Sequence, residues 1–188
     1  MLPTLHDAFS LVCGQAADRT WAPGGEWLPF CQRCTGLYVG AFAALVVVLV
    51  FRIRPSPRRL QFDGLCLLQM VPLGFHWVEH GAVVRTLSGW LFAFGLVDFL
   101  WLLPAVHCGF GQVGASAWRS WLQAMLVVAC LTGVLTAATD GGATAAPALA
   151  WLGFAGLIGL AFLVLGNLVL LTVATWRRMR PVQQSPAP

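Results

Sequence analysis

The sequence predicts an all-α integral membrane protein: about five transmembrane helices in one bundle, N-terminus outside, C-terminus cytoplasmic. Three observations lead there. Of 188 residues, 59% are hydrophobic and only 10% are charged, against about 25% charged in a soluble domain. So few charges cannot dress a water-facing surface. The apolar residues also gather in runs near the roughly 20 residues that cross a bilayer as a helix. Finally, every basic residue is arginine, clustered beside those runs. That is how membrane topology is written, and it gives no sign of a nucleic-acid partner.

The elements follow in order. Residues 1–33 are expected to lie outside the membrane. Their start, "MLPTLHDAFSLVCG", lacks a basic region ahead of a continuous apolar stretch, so no cleavable signal peptide is expected and targeting falls to the first membrane helix. Spans are expected at about 34–53, 62–80, 86–106, 118–138 and 149–176. The second is the shortest and most polar. It contains Pro72, which frees a backbone carbonyl and can kink a helix. Residues 1–180 make a single membrane domain, and the polar, proline-rich 181–188 reads as a disordered tail.

Arginine placement sets the orientation. Arg52, Arg54, Arg58 and Arg59 follow the first span, and Arg177, Arg178 and Arg180 follow the last. The positive-inside rule puts both groups in the cytoplasm, which five spans allow. The N-terminal segment sets Asp7, Asp18 and Glu26 against Arg19 and Arg33, so nothing opposes its translocation. A four-span alternative, with 62–80 re-entrant, breaks this agreement. The expected location is the bacterial inner (plasma) membrane. Gly36 and Gly40 form a GxxxG step, and Gly153, Gly156 and Gly159 line part of the last span, as close helix packing in lipid needs.

This topology gathers reactive groups at the outer face. Cys31 and Cys34 open the first span, and Cys13 precedes them. Three apart in a first helical turn, Cys31 and Cys34 share a face. The helix N-terminus and Arg33 favour a thiolate there. Two chemistries suit the pair: a metal site completed by Cys13 and a histidine, or a reversible disulfide. The plainest alternative is two buried, unreactive cysteines. "HWVEH" at 76–80 matches H-x-x-E-H, the inverted zinc-protease pattern, with its histidines on one helical face. So short a motif points less to protease chemistry than to histidines joining a Cys/His site. The expected ligands are therefore Cys13, Cys31, Cys34, His76 and His80. Zinc suits sulfur-rich ligation best and copper(I) next, with no metal at all as the alternative. Arg19, Arg33 and Arg85 form a set able to hold a phosphate, such as that of a phospholipid or polyprenyl phosphate.

A polar stripe runs along the second span. Asp63, Cys66, Gln69, Leu73, His76 and His80 recur with helical period. Asp98 and Asn167 lie toward the inner half and are placed to pair with it. Intramembrane polar groups face the bundle interior. The stripe is either a polar pathway or interhelical glue; Asn167 alone reads as glue. Cys66, Cys108 and Cys130 read as small buried hydrophobes.

The stretch "CGQAADRTWAPGGEWLPFCQRCTGLYVG" resembles the uncharacterised bacterial predicted membrane proteins of domain-of-unknown-function family 2085. Cys13, Gln15, Arg19, Cys31, Arg33, Cys34, Thr35, Gly36, Tyr38 and Gly40 carry the likeness. A weaker block adds Asp63, Gly64, Gln69, Arg85 and Gly89, so about the first half of the chain is covered. The family pattern has histidine after the first cysteine, where this chain has Gly14. If that histidine is a ligand, this chain either uses another, from His6, His76 or His80, or lacks the site. The resemblance supports a membrane protein with a site at these positions and implies no activity. Three functions stay open: a membrane protein with an outer-face metal site, a thiol redox protein similar in chemistry to quinone-coupled disulfide generators, and a structural or accessory membrane protein. Whether it is an enzyme is left open.

Overall fold

The computed structural model describes residues 2–50, 56–75, 77, 79–109 and 145–179. The described residues form six α-helices: α1 (Leu2–Ser10), α2 (Gln32–Val50), α3 (Pro57–Leu68), α4 (Met70–Gly74), α5 (Ala82–His107) and α6 (Ala145–Met179). Two 3-10 turns, at Ala17–Arg19 and Pro23–Gly25, shape the loop between α1 and α2. No strand occurs among the described residues, only an isolated antiparallel bridge between Thr20 and Cys31. The expected fourth span and the tail 181–188 lie outside the described residues, as do His76, Arg52, Arg54, Arg180 and Cys130.

Three helices, α2, α5 and α6, are long and apolar enough to cross a membrane. At about 1.5 Å per residue each exceeds or nearly matches a bilayer's hydrocarbon thickness. Glycines set how they meet. A side chain at Gly36 would overlap the Thr86 carbonyl, and one at Gly89 would overlap the Arg33 carbonyl. The α2 and α5 backbones therefore touch through reciprocal notches. Gly40 lies against Trp90. On the other side of α2, Gly153 receives the Phe30 ring, Gly156 meets the Tyr38 carbonyl and Gly159 meets Leu45. Tyr38 and Leu45 of α2 meet Gly156 and Gly159 in rising order, and Gln32 and Gly40 meet Arg85 and Trp90, so α2, α5 and α6 run parallel, with their amino ends at one end of the bundle.

Helix α3 runs the other way along α5. Arg59 meets Asp98, Gly95 meets the Asp63 carbonyl, and Gln69 reaches the Ser88 carbonyl. Ser56 starts α3 by accepting a hydrogen bond from the Arg59 N–H, with Pro57 in the first turn. The expectation of one helix over 62–80 needs correcting. The helix begins earlier, at Pro57, breaks at Gln69, and resumes only for Met70–Gly74. Pro72 explains the break: it has no N–H for the Leu68 carbonyl, and its ring crowds that carbonyl. Glu79, His80 and Gly81 are not helical. The helical face that H-x-x-E-H requires is therefore absent at its C-terminal half.

Two apolar clusters fill the bundle. One joins Val47, Val48, Trp90, Phe94, Val97, Trp101, Leu160 and Leu163 of the three long helices. The other lies near the amino ends, where Phe9 of α1 meets Phe30 edge-on at 4.7 Å and packs on Tyr38. This second cluster seats α1 and the cysteine loop on the bundle. The far side of α6 shows Phe162, Leu165, Leu168, Val169 and Leu171 at the surface, an apolar face suited to lipid.

Candidate metal centre

Cys13 comes first along the chain. It sits just past α1, and its N–H closes the helix end on the Phe9 carbonyl at 2.8 Å. Beyond it the chain turns sharply, because Gln15 adopts a left-handed conformation with φ of 45°. That conformation is costly for a residue other than glycine. The Gln15 amide holds it by donating to the carbonyls of His6 and Pro29, both at 2.8 Å. One side chain thus ties the end of α1 to the strand-like approach to α2.

Cys31 stands immediately before α2. Its carbonyl accepts from the Thr35 N–H at 2.8 Å and the Thr35 hydroxyl at 3.1 Å, which fixes the first turn. Cys34 lies in that turn, three residues on and on the same face. The Sγ atoms of Cys13, Cys31 and Cys34 all lie within 4.8 Å of one another. All three are free thiols. The Cys31 N–H donates to the Cys13 sulfur at 3.3 Å. Hydrogen bonds from the Cys31 and Cys34 thiols hold the Cys13 thiol far below its ordinary pKa, against burial, which pushes it up.

These positions suit a metal. At Zn–S distances of about 2.3 Å, the sulfurs of a tetrahedral site sit about 3.8 Å apart. The three sulfurs need close by only about 1 Å to meet that spacing. The N–H bond to Cys13 is the kind of second contact that orients a ligating thiolate. His80 lies outside this group of ligand atoms; its Nε2 is 3.3 Å from Arg33 Nη2. The same Nη2 donates to the Leu73 carbonyl at 2.8 Å, capping the end of α4. His6 contributes its carbonyl to Gln15.

The three arginines separate. Arg85 Nη1 donates to Gln32 Oε1 at 3.2 Å. Arg33 and Arg85 each keep a buried Nε with no hydrogen-bond partner among the described residues. Arg19 is exposed and pairs with Asp18 at 3.3 Å. Trp21 anchors that loop on α5 through a 2.9 Å hydrogen bond to the Thr86 hydroxyl.

The polar stripe turns toward α5. Asp63 and Cys66 are buried on α3, and the Gln69 amide bridges the Cys66 and Ser88 carbonyls, both at 2.9 Å. Asp98 is held by Arg59, which grips both its oxygens at 2.5 Å. Arg59 is the residue that sequence reasoning missed, since it read as one of the cytoplasmic arginines. Its four-residue spacing to Asp63 was the signal that it turns inward.

Residues 13–99 match a family model described as "Predicted membrane protein (DUF2085)". The matched region begins at Cys13 and takes in Cys31, Cys34, Asp63 and Asp98. An "Uncharacterized protein" of Methanothermobacter thermautotrophicus is 30% identical over 64 residues, covering 34% of this chain. The alignment spans 55% of that relative's length. No solved structure matches the chain. The three apolar helices and the family match mark a membrane protein, one whose described residues include a cluster of three cysteines.

Proposed function

We propose that the chain is a five-span protein of the plasma membrane that holds a zinc ion on three cysteines at its outer face. One observation carries the reading: thiols from two separate chain segments converge within 4.8 Å at the amino end of α2. A disulfide would use only two of the three. Sulfur-only ligation favours zinc, with copper(I) as the competing ion. Three sulfurs leave one tetrahedral position to a further ligand, as in zinc sites that bind a substrate or water.

The parallel run of α2, α5 and α6 supports the span count. Three parallel crossings need two returns. Residues 57–74 run antiparallel to α5 and supply the first. Residues 108–144 are long enough, at about 20 residues per crossing, to supply the second. Arg52, Arg54 and Arg58 then share the cytoplasmic side with Arg177, Arg178 and Arg180, and the thiols lie outside.

Arg33 and Arg85 open the first turns of α2 and α5 at this same end, each with an Nε that has no hydrogen-bond partner among the described residues. Positive helix ends and two guanidiniums favour an anion, such as the phosphate of a lipid headgroup. A second reading draws on the same proximity of free thiols. Cys31 and Cys34 would form a disulfide, delivering two electrons and two protons to a membrane quinone, with Cys13 as resolving thiol.

Metal analysis tests the first reading. Protein purified without added chelator should carry close to one zinc per chain, and Cys34→Ser should lose most of it. Metal-free wild-type protein with an intact fold would refute it.

A further inference from the structure

Among the described residues, one group of ionisable side chains outside the thiol site is wholly enclosed. Arg59, Asp63 and Asp98 are 4%, 0% and 0% exposed, between α3 and α5. Asp98 lies 12 residues beyond Thr86 on α5, or about 18 Å of helix rise from the thiol end. Arg59 meets Asp98 as a fork, Nε to Oδ2 and Nη2 to Oδ1, both at 2.5 Å. That fork gives both Asp98 oxygens a donor. Asp63 is left over. Its Oδ2 is 3.9 Å from the same Nε, beyond hydrogen-bonding range, and no N–H or O–H of the described residues donates to either of its oxygens, whose side-chain neighbour is Asp98.

Charge counting gives the consequence. One guanidinium balances one carboxylate. A second ionised carboxylate would leave a full negative charge enclosed, with no donor to solvate it. Among the described residues, the charged and titratable groups facing Asp63 are Arg59 and Cys66 from its own helix and Asp98 from α5. None of them is a spare cation. A metal ion is disfavoured by the adjacent guanidinium and the lack of further oxygen ligands.

We propose that Arg59, Asp63 and Asp98 form a proton-binding site inside the membrane, in which Asp63 carries one exchangeable proton while Arg59 and Asp98 stay paired. The proton neutralises the cluster without breaking the fork. Loading and unloading it changes the charge of the bundle interior by one unit, at a place distinct from the thiols. Asp63 also backs onto Gly95, where a side chain would overlap its carbonyl, so the site sits where α3 and α5 approach closely.

Infrared spectroscopy of carboxyl-13C-aspartate-labelled protein in lipid nanodiscs at neutral pH tests this. Wild type should show a protonated-carboxyl stretch that moves on labelling and in D2O. The band should vanish in Asp63→Asn and persist in Asp7→Asn, whose carboxyl is exposed. Asp63→Glu supplies a second variant: the acid remains but leaves the labelled set, so the label-sensitive band should again vanish. A wild-type spectrum with no such band, or a band that survives removal of the Asp63 carboxyl, would overturn the proposal.

Discussion

The side-chain amide of Asn167 donates to the Leu100 carbonyl at 2.7 Å. Pro104, inside α5, is the reason that carbonyl needs a donor, since a proline four residues on has no N–H to offer it. Helix α6 thus repairs the ladder of α5. Asn167→Leu should cost about 1 kcal/mol in reversible unfolding, within the range of interhelical hydrogen bonds in membranes. In a Pro104→Ala background, where α5 can close its own bond, the cost should fall by at least half. Equal costs in the two backgrounds would show that the bond does not serve this purpose.

The notch at Gly36 gives a second expectation. Gly36→Ala places a methyl against the Thr86 carbonyl, in a backbone contact that cannot yield as a flexible side chain would. Overpacking of this kind costs about 1–3 kcal/mol. Gly64→Ala, with nothing near its new methyl, should be neutral or stabilising by up to about 1 kcal/mol through helix propensity. Unfolding in mixed micelles compares the two, and a Gly36→Ala as mild as Gly64→Ala would contradict the close contact of α2 and α5.

The Arg59–Asp98 fork predicts a larger effect. Asp98→Asn removes the forked partner and leaves Asp63, 3.9 Å from the Arg59 Nε and able to release its proton, as the counter-ion among the described residues, so the cost should approach but not exceed the about 3–5 kcal/mol of a broken buried pair. The paired replacement Arg59→Met with Asp98→Leu removes both charges and should recover most of that loss. If the double variant is no better than Asp98→Asn, the fork is not the source of the cost.

These residues also mark what a sequence reader can and cannot see. The apolar runs at 34–53, 86–106 and 149–176 are found as the helices Gln32–Val50, Ala82–His107 and Ala145–Met179. A run of that length has few other ways to satisfy its backbone in lipid. The segment 62–80 was less legible, because Pro72 and the polar stripe pull against one continuous helix. Arg59 was misread for a physical reason. An arginine beside other arginines at a helix end looks like a topology signal, and its partner Asp98 is 39 residues away. The thiols were easier: cysteines are few, and Cys13 was the one thiol ahead of the Cys31–Cys34 pair. That His80 would turn to Arg33, away from the sulfurs, depends on how α4 ends, which local pattern does not encode.

Topology has its own test. A reporter fused after Arg180 should read as cytoplasmic, and one inserted in the exposed turn at Gly24 should read as external. Both on one side would mean an even number of crossings between them and would undo the outer-face placement of the thiols.

A zinc ion held by Cys13, Cys31 and Cys34 is what the thiol geometry predicts. X-ray absorption at the zinc edge addresses it most directly, because it counts the sulfurs. The purified protein should show about three sulfur neighbours at about 2.3 Å, falling to about two in Cys13→Ser. A zinc shell made only of nitrogen and oxygen, or a metal-free protein with Cys31 and Cys34 joined as a disulfide, would contradict it.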